Sequence, residues 1–309
     1  MDKRIFTSAL QSATCAVAMA SASLAPALAA PPFASQAASA AASAGQPLCQ
    51  NQPTPTDIAG MSALREDTLK PGKRPDFGAM MNSPEAKDYM ARAEARQRSD
   101  WANLCQYRDA NATVRIKGRP DIVFMGDSIT ENWAVAAPAL FSAGVEGRGI
   151  SGQTSSQMLV RFYADVIALQ PRAVHIMAGT NDIAANTGAI SDEDYENNVR
   201  AMVELAQANH IAVILASIPP SATMAWVPGL KPAARIARLN AWLKIYAKNR
   251  GAVYADYYAL LNDGQGGLRG DLGNDGVHPN RNGYAAMIGL ARASVAEALK
   301  LSSESHNAR

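Results

Sequence analysis

From Pro120 onward the chain alternates short, mostly apolar runs with longer stretches whose apolar positions recur at helical spacing. Ile122-Val123-Phe124-Met125 is the first such run, closed by Gly126. A strand apolar at every position belongs in a sheet that is covered on both faces. Similar strands are expected at 145–150, where Glu146 and Arg148 interrupt the run, and at 173–178, 212–218 and 252–255, and helical patterns span 155–169, 192–209 and 234–249, with a last one at 280–300. Strands alternating with helices call for right-handed crossovers and a mostly parallel sheet. The predicted fold class is α/β, with residues 120–300 forming one domain and no internal repeat.

Ahead of residue 120 the pattern weakens. Residues 30–46 are Ala, Ser and Pro with hardly a large side chain, which marks a linker unable to bury enough apolar surface to order itself. Residues 47–119 are read as an arm and helix packing on the main domain. Its first part, to about residue 82, has scattered Pro and little periodicity. Ser83-Pro84-Glu85 then supplies a cap, a Pro at the first helical position and an acid in the first turn. The helix is expected to run toward Leu104, with Tyr89, Trp101 and Leu104 forming an apolar stripe. Residues 301–309 read as a polar tail.

Residues 1–29 read as a secretory signal peptide: Lys3 and Arg4, a small-residue apolar stretch, then Ala27-Leu28-Ala29 as the cleavage site. A membrane anchor is the alternative, but Ser, Thr and Gln interrupt a stretch already short of the ~20 apolar residues a span needs. The expected location is exported, periplasmic or secreted, with no stable membrane insertion once the signal is gone. Cys15 leaves with that segment, so Cys49 and Cys105 remain. In an oxidising compartment such a pair is expected as a disulfide tying the N-terminal extension to the body, worth at most ~4 kcal/mol; two separate thiols are the alternative. A formal charge of +2 and the lack of a basic stripe exclude a nucleic-acid partner. Nothing in the pattern sets an oligomeric state.

In open α/β sheets, sites gather where strands end, and four loops there carry chemistry. Gly126-Asp127-Ser128 puts a hydroxyl on a sharp turn at a helix start, whose free N–H groups suit a developing anion. Gly152, in Ser151-Gly152-Gln153, offers an unshielded backbone N–H, or is a turn glycine needing positive φ. Asn181, in Gly179-Thr180-Asn181-Asp182, offers a side-chain amide to an oxyanion, or serves a turn. In Asp275-Gly276-Val277-His278-Pro279, a carboxylate three residues before an imidazole can hold one ring nitrogen and leave the other to take a proton. His306 and His210 lie at polar ends, and His175 sits mid-strand as a core residue. Asp271-x-Gly273-x-Asp275-Gly276 is similar to part of an EF-hand loop, but Asn282 stands where the twelfth-position acid belongs, so no metal site is predicted.

These four segments, in this order, resemble the consensus blocks of the SGNH/GDSL hydrolase (esterase/lipase) family. Residues 126–133 and 148–154 look most like its platelet-activating-factor acetylhydrolase-like branch. The resemblance covers residues 120–300. It implies a flavodoxin-like three-layer α/β/α sandwich around a five-stranded parallel sheet. It also implies Ser128 as nucleophile, His278 as base and Asp275 as its orienter, with Ser128, Gly152 and Asn181 forming the oxyanion hole. The function implied is hydrolysis of short-chain acyl or acetyl esters of lipid or carbohydrate through an acyl-enzyme, with a small-molecule ester as partner and no metal or organic cofactor. An O-acyltransferase would use the same triad, and a non-catalytic carbohydrate-binding module would need none of it. The α/β-hydrolases are set aside because Thr130 replaces the second glycine of Gly-x-Ser-x-Gly. Met224, Trp226, Val227 and Leu230, in a Pro-bounded loop after the fourth predicted strand, are expected to line the substrate pocket, the alternative being a loop packed onto the body.

Overall fold

The computed structural model describes Cys49, residues 65–73 and residues 82–307. The predicted signal peptide and linker lie outside the described residues. Five parallel strands form one sheet in the order β2-β1-β3-β4-β5: β1 Ile122–Gly126, β2 Val145–Gly149, β3 Ala173–Met177, β4 Ala212–Ala216 and β5 Val253–Ala255. The chain starts in the middle, steps to one edge, returns and then runs outward. This is the doubly wound order in which ligands bind beyond the carboxyl ends of the strands, beside the point where winding reverses.

Alternating residues within each strand face opposite layers, as pleating requires. Val123, Met125, Val174, Ile176, Val213 and Leu215 join a core with Met158, Phe162, Tyr195, Val199, Ile236 and Leu239. These come from helices α4 (Ser155–Asp165), α6 (Asp192–Ala208) and α7 (Ala233–Asn249). Ile122, Phe124, Ala173, Ile214 and Ala255 pack on the other face against Ile129, Trp133, Tyr257, Tyr284 and Met287. Those belong to α3 (Ser128–Ala136), α8 (Tyr257–Leu261) and α9 (Arg281–Asn307). The result is the expected three-layer sandwich.

The N-terminal part departs from expectation in instructive ways. Helix α1 (Pro84–Ser99) starts at the predicted Ser83 cap, whose hydroxyl accepts from Ala86 N–H, but stops five residues short of Leu104. The Asp100 carboxylate accepts the N–H groups of Leu104 (2.8 Å) and Cys105 (2.9 Å), closing a turn in place of another helical one. Trp101 and Leu104 are therefore 44% and 39% exposed and form no stripe; the Tyr89 side chain lies outside the described residues. A further helix, α2 (Arg108–Lys117), follows unannounced, since it buries only Asn111 and Val114. Residues 65–69, expected to be irregular, are helical, and Leu69 is fully buried. Cys49 and Cys105 are joined in a disulfide, Cα to Cα 5.5 Å. At the other end α9 continues to Asn307 through most of the expected polar tail. Arg172 helps hold it there, donating to Leu299 O and Ser303 Oγ. The 155–169 pattern splits into α4 and a 3-10 turn at Ile167–Leu169.

One buried cation joins these pieces. The Arg161 guanidinium, fully buried on α4, donates to Asp165 Oδ2 (2.9 Å), to Gln153 Oε1 (2.5 Å) and to the carbonyl of Gly126 at the end of β1 (2.9 Å). Removing one partner of a buried ion pair strands the other charge. Arg161→Met is expected to cost about 3–5 kcal/mol of unfolding free energy, measured by denaturant titration; a loss under about 1 kcal/mol would mean that water already compensates Asp165.

Candidate active site

Because β1 pairs in parallel with β2 and β3, Gly126 lies level with Gly149 on one side and Met177 on the other. The segments that follow, Asp127-Ser128, Ile150–Gln153 and Ala178–Asn181, therefore leave the sheet side by side. Asp127 caps α3, its Oδ1 accepting the N–H of Ile129 at 2.9 Å. Ser128 is the first helical residue, so its hydroxyl and N–H both stand at the positive end of the helix. Asn181 sits in the short helix α5 (Thr180–Ile183).

The fourth loop arrives from 150 residues further along the chain. His278 Nε2 lies 2.9 Å from Ser128 Oγ. Its Nδ1 lies 2.7 Å from Asp275 Oδ2, and Asp275 Oδ1 accepts the backbone N–H groups of His278 (2.7 Å) and Val277 (2.9 Å). Three bonds on one carboxylate fix the ring plane, and Nδ1 keeps its hydrogen toward the acid, leaving Nε2 the acceptor. Asn280, fully buried, anchors the loop by accepting from Asn282 and Gly283 N–H at the start of α9.

Electrostatics reinforce this division of labour. Burial alone raises the Asp275 pKa, but the His278 charge and the bonds from His278 and Val277 bring it below the usual carboxylate value. Burial alone lowers that of His278, and the Asp275 charge and hydrogen bond overcome it, so the imidazole titrates above its ordinary value. Asp127 is pushed up to about 6, chiefly by burial, offset partly by Ile129 N–H and His278. His175, 3.1 Å from Tyr257 Oη in the core, is pushed down to about 3 by burial and stays neutral.

Ser128, Gly152, Asn181 and His278 line one cleft of about 370 Å³. The Asn181 amide nitrogen is already engaged, donating to Asp127 Oδ2 (3.2 Å) and Gln153 O (3.1 Å), while its oxygen accepts from Asn186 Nδ2 (2.8 Å). Both donations are long, and one must be exchanged before the amide can serve a bound oxyanion. Of the four residues expected in the pocket, only Trp226 lines it, with its Nε1–H on Asn186 Oδ1 at 3.2 Å and its ring 6.4 Å from that of His278. Met224 is 2% exposed and belongs to the core, and Val227 and Leu230 pack against that core. The Pro-bounded loop uses its aliphatic side chains as an anchor and presents only the indole. Arg65, Thr68, Met90, Asn132, Ser151 and Asn186 also line the cleft and were not foreseen. Asn186 follows Asn181 by five residues, a faint signal; Arg65 and Thr68 lie in a segment with no legible period, and Met90 lies in the expected helix but outside its expected stripe.

The carboxylates of the 271–276 loop do not converge, since Asp271 bonds Arg269 and Asp275 bonds His278. Among the described residues no group of three or more His, Cys, Asp or Glu side chains is placed to hold a metal ion. Among them no helix is long and apolar enough to cross a membrane.

Residues 124–286 match the GDSL-like Lipase/Acylhydrolase family. A crystal structure from Bacteroides fragilis, assigned as an acylhydrolase, is 46% identical with a TM-score of 0.62, covering 65% of this chain and 99% of that one. A GDSL-like lipase from Bacteroides thetaiotaomicron is 41% identical with a TM-score of 0.61, covering 64% and 100%. A Streptococcus pneumonia protein described as a platelet activating factor, 22% identical with a TM-score of 0.54 over 66% and 99%, shares the fold. No curated protein matches the chain.

The bond network makes a direct spectroscopic prediction. The His278 ring, followed by NMR, is expected to titrate above the ordinary imidazole value near 6.5. In Asp275→Asn the opposing effect of burial is left largely alone, and the midpoint is expected to fall. A midpoint indifferent to that substitution would show that the carboxylate does not control the ring.

Proposed function

Because the chain belongs to the GDSL-like lipase/acylhydrolase family and is an ester hydrolase, we propose that it cleaves short-chain esters through an acyl-enzyme on Ser128, with His278 as base and Asp275 as orienter. The observation that carries this reading is the continuous line Ser128 Oγ, His278 Nε2, His278 Nδ1, Asp275 Oδ2, with gaps of 2.9 and 2.7 Å, on the wall of an open cleft.

Ser128 Oγ attacks the ester carbonyl carbon while its proton passes to His278 Nε2. The carbonyl oxygen becomes an oxyanion facing the N–H groups of Ser128 and Gly152 and, after exchange of one bond, the Asn181 amide. Imidazolium then protonates the departing alkoxide. Water, deprotonated by the same nitrogen, attacks the acyl carbonyl and releases the acid and free Ser128. Asp275 stays ionised throughout and stabilises the transient imidazolium.

A cleft of about 370 Å³ is at the small end of the ~300–1,000 Å³ typical of ligand sites. That supports acetyl or short acyl groups on a lipid or carbohydrate alcohol in preference to long chains. Export is supported by the N-terminal charge-apolar-small pattern and by the Cys49–Cys105 bridge, which persists in oxidising compartments.

Acetyl, butyryl and octanoyl esters, with acetylated sugars alongside, give the decisive panel. Acetyl and butyryl esters are expected to be turned over fastest, with Trp226→Ala relaxing the preference toward longer chains. Ser128→Ala is expected to lose about 10⁴–10⁶-fold in kcat and all labelling by a fluorophosphonate. Retained labelling in Ser128→Ala would assign the nucleophile elsewhere, and ester exchange outrunning hydrolysis would assign a transferase.

A further inference from the structure

Three residues of the cleft wall, Arg65, Thr68 and Met90, come from outside the stretch 124–286 that matches the family. The segment bearing the first two is held firmly against the catalytic loops. Leu69 is fully buried. Asn274, next to Asp275, donates its side-chain amide to Thr68 O and Lys70 O at 2.8 Å each. Arg281, at the start of α9, donates to both oxygens of Glu66 at 2.7 Å.

Arg65 itself donates from Nη2 to Glu131 Oε1 at 2.5 Å, both side chains being about three-quarters covered. Glu131 stands one turn after Ser128 on α3. Its other oxygen accepts two bonds from Ser151, from the backbone N–H at 2.7 Å and from the hydroxyl at 2.6 Å. Ser151 immediately precedes Gly152, whose φ of +79° suits glycine. Below this contact β2 rests directly on α3, since a Cβ on Gly149 would lie 2.2 Å from the Glu131 nitrogen.

Two consequences follow. The carboxylate of Glu131 links the loop that bears the Gly152 N–H to the helix that begins with Ser128, and so fixes the spacing of the two backbone donors. The same carboxylate also brings negative charge to the margin of a cleft in which an oxyanion must form, and Arg65 is the cation paired with it. We propose that Glu131 is a positioning residue for the Gly152 oxyanion donor and that Arg65 is its required counter-ion, which makes the N-terminal segment 65–70 part of the active site. The inference rests on the Ser128–His278 reading of the site.

The test uses the mature chain with Arg65→Met, Arg65→Lys, Glu131→Gln and the Arg65→Met/Glu131→Gln double variant, each followed by ester kinetics, fluorophosphonate labelling rate and thermal melting. Arg65→Met is expected to lower kcat and the labelling rate by about 10–10²-fold, the scale of a displaced oxyanion donor, with KM shifting by less than about 3-fold. Arg65→Lys, which keeps the charge but not the planar fork, is expected to recover part of that loss. In the double variant no unpaired carboxylate remains, so it is expected to be no slower than Arg65→Met, a non-additive outcome. Wild-type kcat in Arg65→Met, an effect on KM alone, a lower melting temperature with unchanged kcat, or losses that multiply in the double variant would each overturn the proposal. The Arg65 variants suffice if Glu131→Gln is not recovered folded. An inert, unlabelled wild type would remove the Ser128 reading and this inference with it, whereas an active wild type with unaffected variants would remove the inference only.

Discussion

Parallel pairing of β1 with both of its neighbours is the constraint from which the site descends. It sets Gly126, Gly149 and Met177 at one height, so a hydroxyl, a backbone N–H and a carboxamide emerge together without any loop having to reach far. Short loops lose little freedom on folding and hold their side chains closely. The imidazole, by contrast, must be carried in from the far end of the chain. Three hydrogen bonds on the Asp275 carboxylate and the buried Asn280 cap hold it where it arrives.

Gathering polar groups at one edge buries several of them. Arg161, Asp165, Asp127 and Asp182 are all within about 2% of complete burial, and each finds partners. Asp182 accepts from the N–H and hydroxyl of Ser155, and Asp127 from Ile129 N–H and the Asn181 amide. Burial raises both acids, so their ionised forms depend on those donors. A network of this kind resists rearrangement, because displacing one group leaves another unsatisfied in a low-dielectric setting. The pre-engaged Asn181 amide illustrates the corresponding cost: the oxyanion role proposed for it requires exchange of an existing bond.

Residues outside 124–286 contribute to the cleft wall of a fold shared with the Bacteroides structures. Residues 65–70 meet α3 and the Asn274 loop, and Glu131 of α3 carries the first contact on to the Ser151 loop. Trp226 and Met90 supply large apolar side chains to the cleft wall from the 219–232 loop and from α1. Such additions alter the shape and charge of the cleft without touching the reacting atoms, which is how one fold serves many substrates.

The sequence by itself determined most of the sheet and the candidate reacting groups. Strands covered on both faces are mostly apolar, which made 122–126, 212–216 and, His175 apart, 173–177 legible. Ser128 and the Asp275–His278 pair combine a reactive type with a helix-start or loop position, while Gly152 and Asn181, each equally readable as a turn residue alone, gained their candidate roles only as part of the set and through the family resemblance. Whatever depends on the facing of an aperiodic segment was decided by tertiary structure. Nothing in the loop 219–232 says that Met224 turns into the core while Trp226 turns to the cleft, since neither period applies there. Helix α1 ends at Ser99 because one carboxylate outcompetes the helical pattern. The partnership of Arg65 with Glu131 spans 66 residues, and only the folded chain, which brings distant charges within hydrogen-bond reach, could specify it.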